Sequence, residues 1–322
     1  LQRKASEGTV SRSGLVTFLA GQPKAVLGLI GPGFGGIMQY HTPSSFDDAV
    51  AIAKDAKGVT RFLAGGTDVL VQLRADILTP DVLIDIKKIS GVSEIARESD
   101  GWRIGVAVTG AEMTEHNILG KEWPGVVEAM DLVGSTQIQG RATLTGNLCN
   151  GSPAADSVPA MVAAGAKVSV TGPNGARTVA AEDIPTGPGK TSLGTGEMIT
   201  GVHLPARGSH GGDAYLRFIP RTEMDIAVVG CAVNLRLDGK KIVEARVALG
   251  AVAPTVLLVE DAANAIIGTN LDDAALEALA AAASAACNPI TDKRGTIEFR
   301  TQVVGVLARR AAKIAYDRAE AS

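Results

Sequence analysis

The sequence predicts an α+β fold: short strand–helix units in the first half, then a sheet of long antiparallel strands and two helices. Three observations carry this. A β-type run at 60–64 passes through Gly65-Gly66 into helical spacing at Val69, Leu70, Leu73 and Ile77, the pattern of a strand turning into a helix. Two short runs, 167–171 and 176–180, flank Gly172-Pro173-Asn174-Gly175, a hairpin signal. Long β-type runs at 214–219, 226–237 and 242–251, the last two separated by Asp238-Gly239, precede two helix-prone stretches, 272–286 and 296–319.

Taken in order, residues 1–37 differ from the rest, mixing Ser, Gly and basic residues ahead of Gly31-Pro32-Gly33-Phe34-Gly35-Gly36. This nominal G-x-G-x-x-G is not a dinucleotide fingerprint. Pro32 occupies the turn, and Tyr40-His41-Thr42-Pro43 stands where a helix must start. Gly35-Gly36 just before Met38 is encodable by GGAGG, a purine-rich run of the kind that binds ribosomes. The expectation is therefore that 1–37 are a translated leader or disordered extension and that Met38 is the native start.

Residues 38–91 form the first unit, with 46–57 helical, 60–64 a strand, 65–75 a turn and helix, and 82–86 a strand. A second unit, 92–211, opens on the alternating run 102–108. Helices at 114–116 and 123–130 follow, then a glycine-rich loop at 140–156, an Ala-rich helical run at 158–166, the hairpin, and a strand at 198–204. Thr186-Gly187-Pro188-Gly189-Lys190-Thr191 is not a P-loop, because Ile184 stands where its leading glycine belongs and no helix follows; it reads as a surface loop. The third unit, 212–322, is three antiparallel strands packed on helices, with Phe299, Val303, Val306, Leu307 and Ile314 lining one helix face.

Composition bounds the function. With 322 residues, 46% apolar and 20% charged, the chain buries a large core and reads as globular and soluble. A net charge of −3 argues against a nucleic-acid groove. No apolar run reaches the roughly 18 residues of a membrane span; the nearest, 14–30, is broken by Gln22-Pro23-Lys24. Cys149, Cys231 and Cys287 form no Cys-x-x-Cys pair and read as buried thiols of a cytoplasmic protein. Iron–sulfur clusters use closely spaced thiolates, so any such cluster belongs to another polypeptide. The sequon Asn150-Gly151-Ser152 is followed by proline and reads as accidental. His41, His116, His203 and His210 show no His-x-x-x-His spacing and read as surface or loop residues rather than metal ligands. A Gly-x-Ser-x-Gly elbow is absent as well. No catalytic side chain is singled out, which leaves a reaction whose chemistry a cofactor carries.

The two glycine-rich stretches carry the function. At Gly65-Gly66 a helix start offers unpaired N–H groups, and glycine admits an anion close to the main chain. Taken alone, this stretch is equally well a tight turn capped by Thr67 or Asp68. The second stretch, 140–156, has the same character, and two phosphate-compatible loops suit a pyrophosphate. Ala-Gly-Gly-Thr-Asp at 64–68, Ala-Thr-Leu-Thr-Gly-Asn at 142–147 and Ser-Pro-Ala-Ala-Asp at 152–156 together resemble the FAD-binding medium subunit of molybdenum hydroxylases, the carbon monoxide dehydrogenase and xanthine dehydrogenase group. The likeness runs from about Tyr40 to the C-terminus.

The resemblance implies a two-lobed FAD-binding fold of the vanillyl-alcohol-oxidase/PCMH type, followed by a C-terminal three-stranded antiparallel sheet with helices. It implies FAD in this chain, molybdenum–molybdopterin on a large partner subunit, [2Fe–2S] clusters on a small one, a dimer of heterotrimers, and NAD or a quinone as electron acceptor. Leu63, Ala64, Gly65, Gly66, Thr67, Asp68 and Val69 would wrap the pyrophosphate, with Thr143, Leu144, Gly146 and Asn147 on its other side. Asp156 would meet the ribityl chain, Ile199 and Arg217 the flavin, and Asp225 the neighbourhood of its ring.

Two departures stand out. Thr145 replaces the first of two adjacent glycines, and its hydroxyl is offered as a phosphate donor. The segment 183–191 lacks an aromatic residue that some carbon monoxide dehydrogenase relatives place over the flavin, which implies an open ring face. The alternatives are a stand-alone FAD oxidase or reductase of the same fold and an interaction subunit without flavin.

Overall fold

The computed structural model describes residues 38–222 and 224–322, together with the backbone of two paired antiparallel strands, β1 (Leu15–Phe18) and β2 (Leu27–Ile30). The leader expectation and the glycine pattern at 31–36 otherwise lie outside the described residues.

The first unit is β3 (Gln39–His41), α1 (Phe46–Asp55), β4 (Thr60–Leu63), α2 (Val69–Arg74) and β5 (Val82–Asp85). Its strands form a parallel sheet in the order β3-β5-β4. Ser45 starts α1 by accepting from the Asp48 N–H, with Asp47 and Asp48 in the first turn and Lys54 in the last, each charge favourable to the helix dipole. All four β5 residues are buried, as the middle strand of a parallel sheet requires. Because β4 and β5 run in register from Thr60↔Val82 to Leu63↔Asp85, the chain leaving β4 lies beside the start of the 3₁₀ turn Ile86–Lys88.

The second unit contains β6 (Ile95–Glu98), β7 (Gly101–Gly105), α3 (Gly110–Glu115), α4 (Asn117–Glu122), α5 (Pro124–Asp131), α6 (Thr136–Gln139), α7 (Leu144–Cys149) and α8 (Ser157–Ala163). The strands β8 (Lys167–Gly172), β9 (Gly175–Ala180), β10 (Pro185–Gly187), β11 (Lys190–Thr191) and β12 (Met198–Pro205) complete it. An antiparallel sheet runs β6-β7-β12-β8-β9. The expected strand 102–108 leaves the sheet at Gly105, where a Cβ would come within 2.3 Å of the Val92 carbonyl oxygen. The helix expected at 114–116 is longer, because Thr109 and Glu112 form a capping box. The 140–156 stretch is not all loop: Thr143 caps α7 by accepting from the Gly146 N–H at 2.9 Å. The 186–191 run folds as the hairpin β10–β11.

The C-terminal unit holds β13 (Gly211–Phe218), β14 (Val229–Asp238), β15 (Lys241–Gly250), β16 (Leu257–Leu258), α9 (Glu260–Asn264), α10 (Asp273–Ala285) and α11 (Ile297–Ala321). Its sheet has four antiparallel strands, not three. The added strand, β16, pairs with Ala248 and Leu249, and two residues are too few to show a period in the sequence. β14 is buried on both faces. Val229, Cys231, Val233, Leu235 and Leu237 pack with α10 and α11, while Ala232 packs with α8. Helix α11 also differs from expectation. Its buried face is Ala308, Ala311, Ala312, Ala315 and Ala319 with Val304 and Leu307, whereas Phe299 is half-exposed and Val303, Val306 and Ile314 are only partly buried. Small residues let the helix lie against the sheet, so close that a Cβ on Gly212 would sit 2.0 Å from the Ala315 carbonyl oxygen.

Charges knit the halves together. Arg207 stacks 3.9 Å from the Trp123 ring centroid and pairs with buried Asp213 at 2.9 Å. Arg318 of α11 donates to the Asp213 carbonyl and pairs with Glu128 of α5. No described helix is long and apolar enough to cross a membrane.

Candidate functional site

A cavity of about 720 Å³ opens where the first two units meet, within the roughly 300–1,000 Å³ of small-molecule and cofactor sites. The turn between β4 and α2 contributes Ala64, Gly65, Gly66, Thr67, Asp68 and Val69, and the start of α7 contributes Thr143, Thr145 and Gly146. Ile199 of β12 lines it too. The two glycine-rich stretches are thus in contact. A Cβ on Gly65 would lie 1.7 Å from the Arg141 carbonyl oxygen, and Arg141 Nε donates back to the Gly65 carbonyl at 3.2 Å. Gly66 has φ +84°, the left-handed region that glycine enters without strain.

The turn presents donors. Among the described residues no backbone or side-chain acceptor faces the N–H groups of Gly65, Gly66, Thr67 or Asp68, while the carbonyls behind them are tied back. Lys87 Nζ donates to the Ala64 carbonyl at 3.1 Å. Lys87 is itself held by Asp85 at 2.7 Å, and Tyr40 donates to the same carboxylate at 2.5 Å. Burial alone would raise the Asp85 pKa, but the hydrogen bonds from Lys87 and Tyr40 outweigh it and hold the carboxyl below its ordinary range. Burial and the Asp85 hydrogen bond push the Tyr40 hydroxyl up to about 12. Asp68 is different: it lines the cavity without a capping bond, and burial raises its pKa.

Other predicted residues lie outside the cavity. Leu63 and Leu144 are core residues. Asn147 accepts from the Ser157 hydroxyl at 2.7 Å and from its N–H at 3.3 Å, fixing the start of α8. Asp156 is buried at the junction with the C-terminal unit, paired with Arg217 at 2.6 Å and accepting from the Tyr215 hydroxyl at 2.8 Å. Burial pushes its carboxyl up to about 6 against the pull of Arg217 and Tyr215. Arg217 Nε is buried without an acceptor. Asp225 pairs with Arg221 at 3.1 Å on the surface turn. The Thr145 hydroxyl is not available to a phosphate, because it donates to the Val106 carbonyl at 2.7 Å.

Sequence reasoning missed the third wall. Gly189 and Thr191 line the cavity, since the β10–β11 hairpin docks through the Gly189 N–H on the Gly151 carbonyl at 2.9 Å. Beyond it the 194–197 turn is fixed by Glu197, which takes a bidentate bond from Arg177 and the Gly194 N–H. These bonds lower the Glu197 pKa to about 2. Cys149 and Asn150 also face the cavity. Of the histidines read as surface or loop residues, His116 sits in the junction between α3 and α4, where its Nδ1 accepts from the Leu119 N–H to start α4, whereas His203 lies within β12. Among the described residues Glu98, Asp100 and His203 come together, but the first two are exposed and Arg103 already pairs with Glu98 at 3.0 Å.

Comparison with known proteins decides the family. Residues 36–207 match the FAD binding domain in molybdopterin dehydrogenase, and residues 214–315 the CO dehydrogenase flavoprotein C-terminal domain. The chain belongs to this flavoprotein family. It is 35% identical to the carbon monoxide dehydrogenase medium chain of Afipia carboxidovorans, over 88% of this chain and 99% of that one. Identity to the xanthine dehydrogenase FAD-binding subunit of Escherichia coli O157:H7 is 32%, over 84% and 93%. The fold matches CO dehydrogenase from Oligotropha carboxidovorans with a TM-score of 0.84 and 35% identity, covering 88% of this chain and 99% of that one. This molybdopterin-dehydrogenase flavoprotein is therefore an FAD-binding medium subunit of the molybdenum hydroxylase type, and an oxidoreductase subunit. Its cavity fits that cofactor: unpaired amides for a diphosphate at 65–68 and a volume suited to a dinucleotide.

Proposed function

We propose that the chain is the electron-delivering subunit of a cytoplasmic heterotrimeric molybdenum hydroxylase that works as a dimer of heterotrimers. A large subunit would oxidise substrate at molybdenum–molybdopterin, and a small subunit would relay electrons through [2Fe–2S] clusters. This chain would pass them to NAD or a quinone. The flavin ring, when bound, supplies a centre that exchanges electrons singly or in pairs. The protein's part is to bind and orient. The N–H groups of Gly65 to Asp68 hold the diphosphate, with Thr143 and Gly146 closing the other side and Ile199 giving an apolar wall. Asp156 and Arg217 lie outside the cavity, at the junction with the C-terminal unit, so their assignment to the flavin rests on the family resemblance and on the buried, unaccepted Arg217 Nε.

The convergence of two loops, 76 residues apart in sequence at Arg141 and Gly65, on one cavity supports this reading most. The test is spectroscopic. The purified chain should take up FAD and turn yellow. Its flavin should be reduced by substrate only when both partner subunits are present, and stopped-flow mixing with NAD or a quinone should reoxidise it. A chain left colourless after FAD addition, or one that turns over substrate alone, contradicts the reading.

A further inference from the structure

We infer that Lys87 and Arg141, two cations outside the cavity, act as positioning residues that aim the amides of the glycine turn at the cofactor's diphosphate. The inference rests on the proposed reading that this turn holds the diphosphate. Neither residue lines the cavity. Each instead grips the far side of a peptide plane: Lys87 Nζ the carbonyl of Ala64 at 3.1 Å, Arg141 Nε the carbonyl of Gly65 at 3.2 Å. These peptides are trans, so each C=O and the following N–H point in opposite directions from one rigid plane. Holding the Ala64 and Gly65 carbonyls outward therefore fixes where the Gly65 and Gly66 N–H groups point.

Without such anchors the turn is loose, since a Gly-Gly peptide has the widest range of orientations of any pair. The anchors also polarise the amides they hold, because a cation on a carbonyl strengthens the donor at the other end of the same peptide. The Tyr40–Asp85 pair carries the device one step further by orienting Lys87 from β3 and β5.

The test uses the full chain stripped of flavin, with FAD affinity from flavin-fluorescence quenching, ADP competition, and the melting temperature of the apoprotein. Lys87 is 35% exposed and Arg141 is exposed, so neither change empties the core. K87Q and R141Q should each weaken FAD about tenfold, about 1.4 kcal/mol, weaken ADP by the same factor, and leave apoprotein melting unchanged. K87R, which keeps a donor cation, should restore affinity. The inference is overturned if both glutamine variants hold FAD within about twofold of wild type, if ADP is unaffected while FAD weakens, or if apoprotein melting falls in step with affinity. Gly65→Ala separates the two levels. If it too leaves FAD affinity unchanged, the diphosphate reading itself fails; if it abolishes binding while K87Q and R141Q do not, only the role of the cations fails.

Discussion

Substituting Gly65 by Ala tests the contact on which the cavity depends. The new Cβ would lie 1.7 Å from the Arg141 carbonyl oxygen, whereas an ordinary carbon–oxygen contact is about 3.4 Å. The two loops must separate by about 1.7 Å, and both sides of the clash are backbone, so no rotamer relieves it. Overpacking of this kind costs about 1–3 kcal/mol, and the separation also breaks the 3.2 Å bond from Arg141 to the Gly65 carbonyl. Of the four amides proposed to hold the diphosphate, the two nearest the clash, those of Gly65 and Gly66, would be lost at about 1.5 kcal/mol each, about 3 kcal/mol or roughly a hundredfold in affinity. The assay is FAD titration by fluorescence quenching, with urea unfolding of the apoprotein alongside. Gly120→Ala serves as the control, because nothing lies within 4 Å of its Cβ position. A Gly65→Ala protein that binds FAD within about twofold of wild type would refute the argument that the loops must touch.

Three further outcomes follow from the same geometry. Thr145→Val keeps the shape but leaves the Val106 carbonyl without its donor, so chemical denaturation should show about 1–3 kcal/mol of lost stability. Burial raises the Asp156 carboxyl to about 6 in the folded state, above its ordinary value of 3.8. Its contribution is therefore fully present below about pH 3.8 and is lost as pH rises through about 6; unfolding free energies between pH 4.5 and 7 should fall more steeply for wild type than for Asp156→Asn. Gly212→Ala places a Cβ 2.0 Å from the Ala315 carbonyl oxygen, lifting α11 off its sheet at a cost of about 1–3 kcal/mol, which a thermal melt should register as a lower midpoint.

The legible parts of the site were those where the backbone itself is the functional group. Gly65 and Gly66 stand out in the sequence because no other residue tolerates the Arg141 contact or a φ of +84°, and such constraints leave a residue-level mark. β14 was legible for a similar reason: burial on both faces makes its run almost continuously apolar. Lys87 left no mark. Its contact with Ala64 spans 23 residues and exists only because β4 and β5 pair in parallel register. The wall at Gly189 and Thr191 was hidden likewise, since the β10–β11 hairpin gains its place from a single bond to Gly151. Helix α11 misled by its composition, because a face of alanines carries little hydrophobic contrast, and the larger side chains drew the expected face to one flank of the buried stripe, which only Leu307 shares in full.

The division of charge across the site follows from what a dianionic ligand needs. The cavity lining includes Lys54 and Arg61, and such flexible side chains bind phosphate as mobile charges and lose rotamer entropy in doing so. Amides anchored from behind are ordered before the ligand arrives, so less of the binding energy is spent on ordering them. The same economy places the Asp156–Arg217 pair at the dry junction between units, where its partners Tyr215 and Arg217 both come from β13. Motion of the C-terminal unit relative to α8 would pull that pair apart, exposing one buried charge to the loss of its partner, a penalty of about 3–5 kcal/mol. The C-terminal unit is thereby bound to the first two units by electrostatics as well as by the packing of Ala232 of β14 against α8.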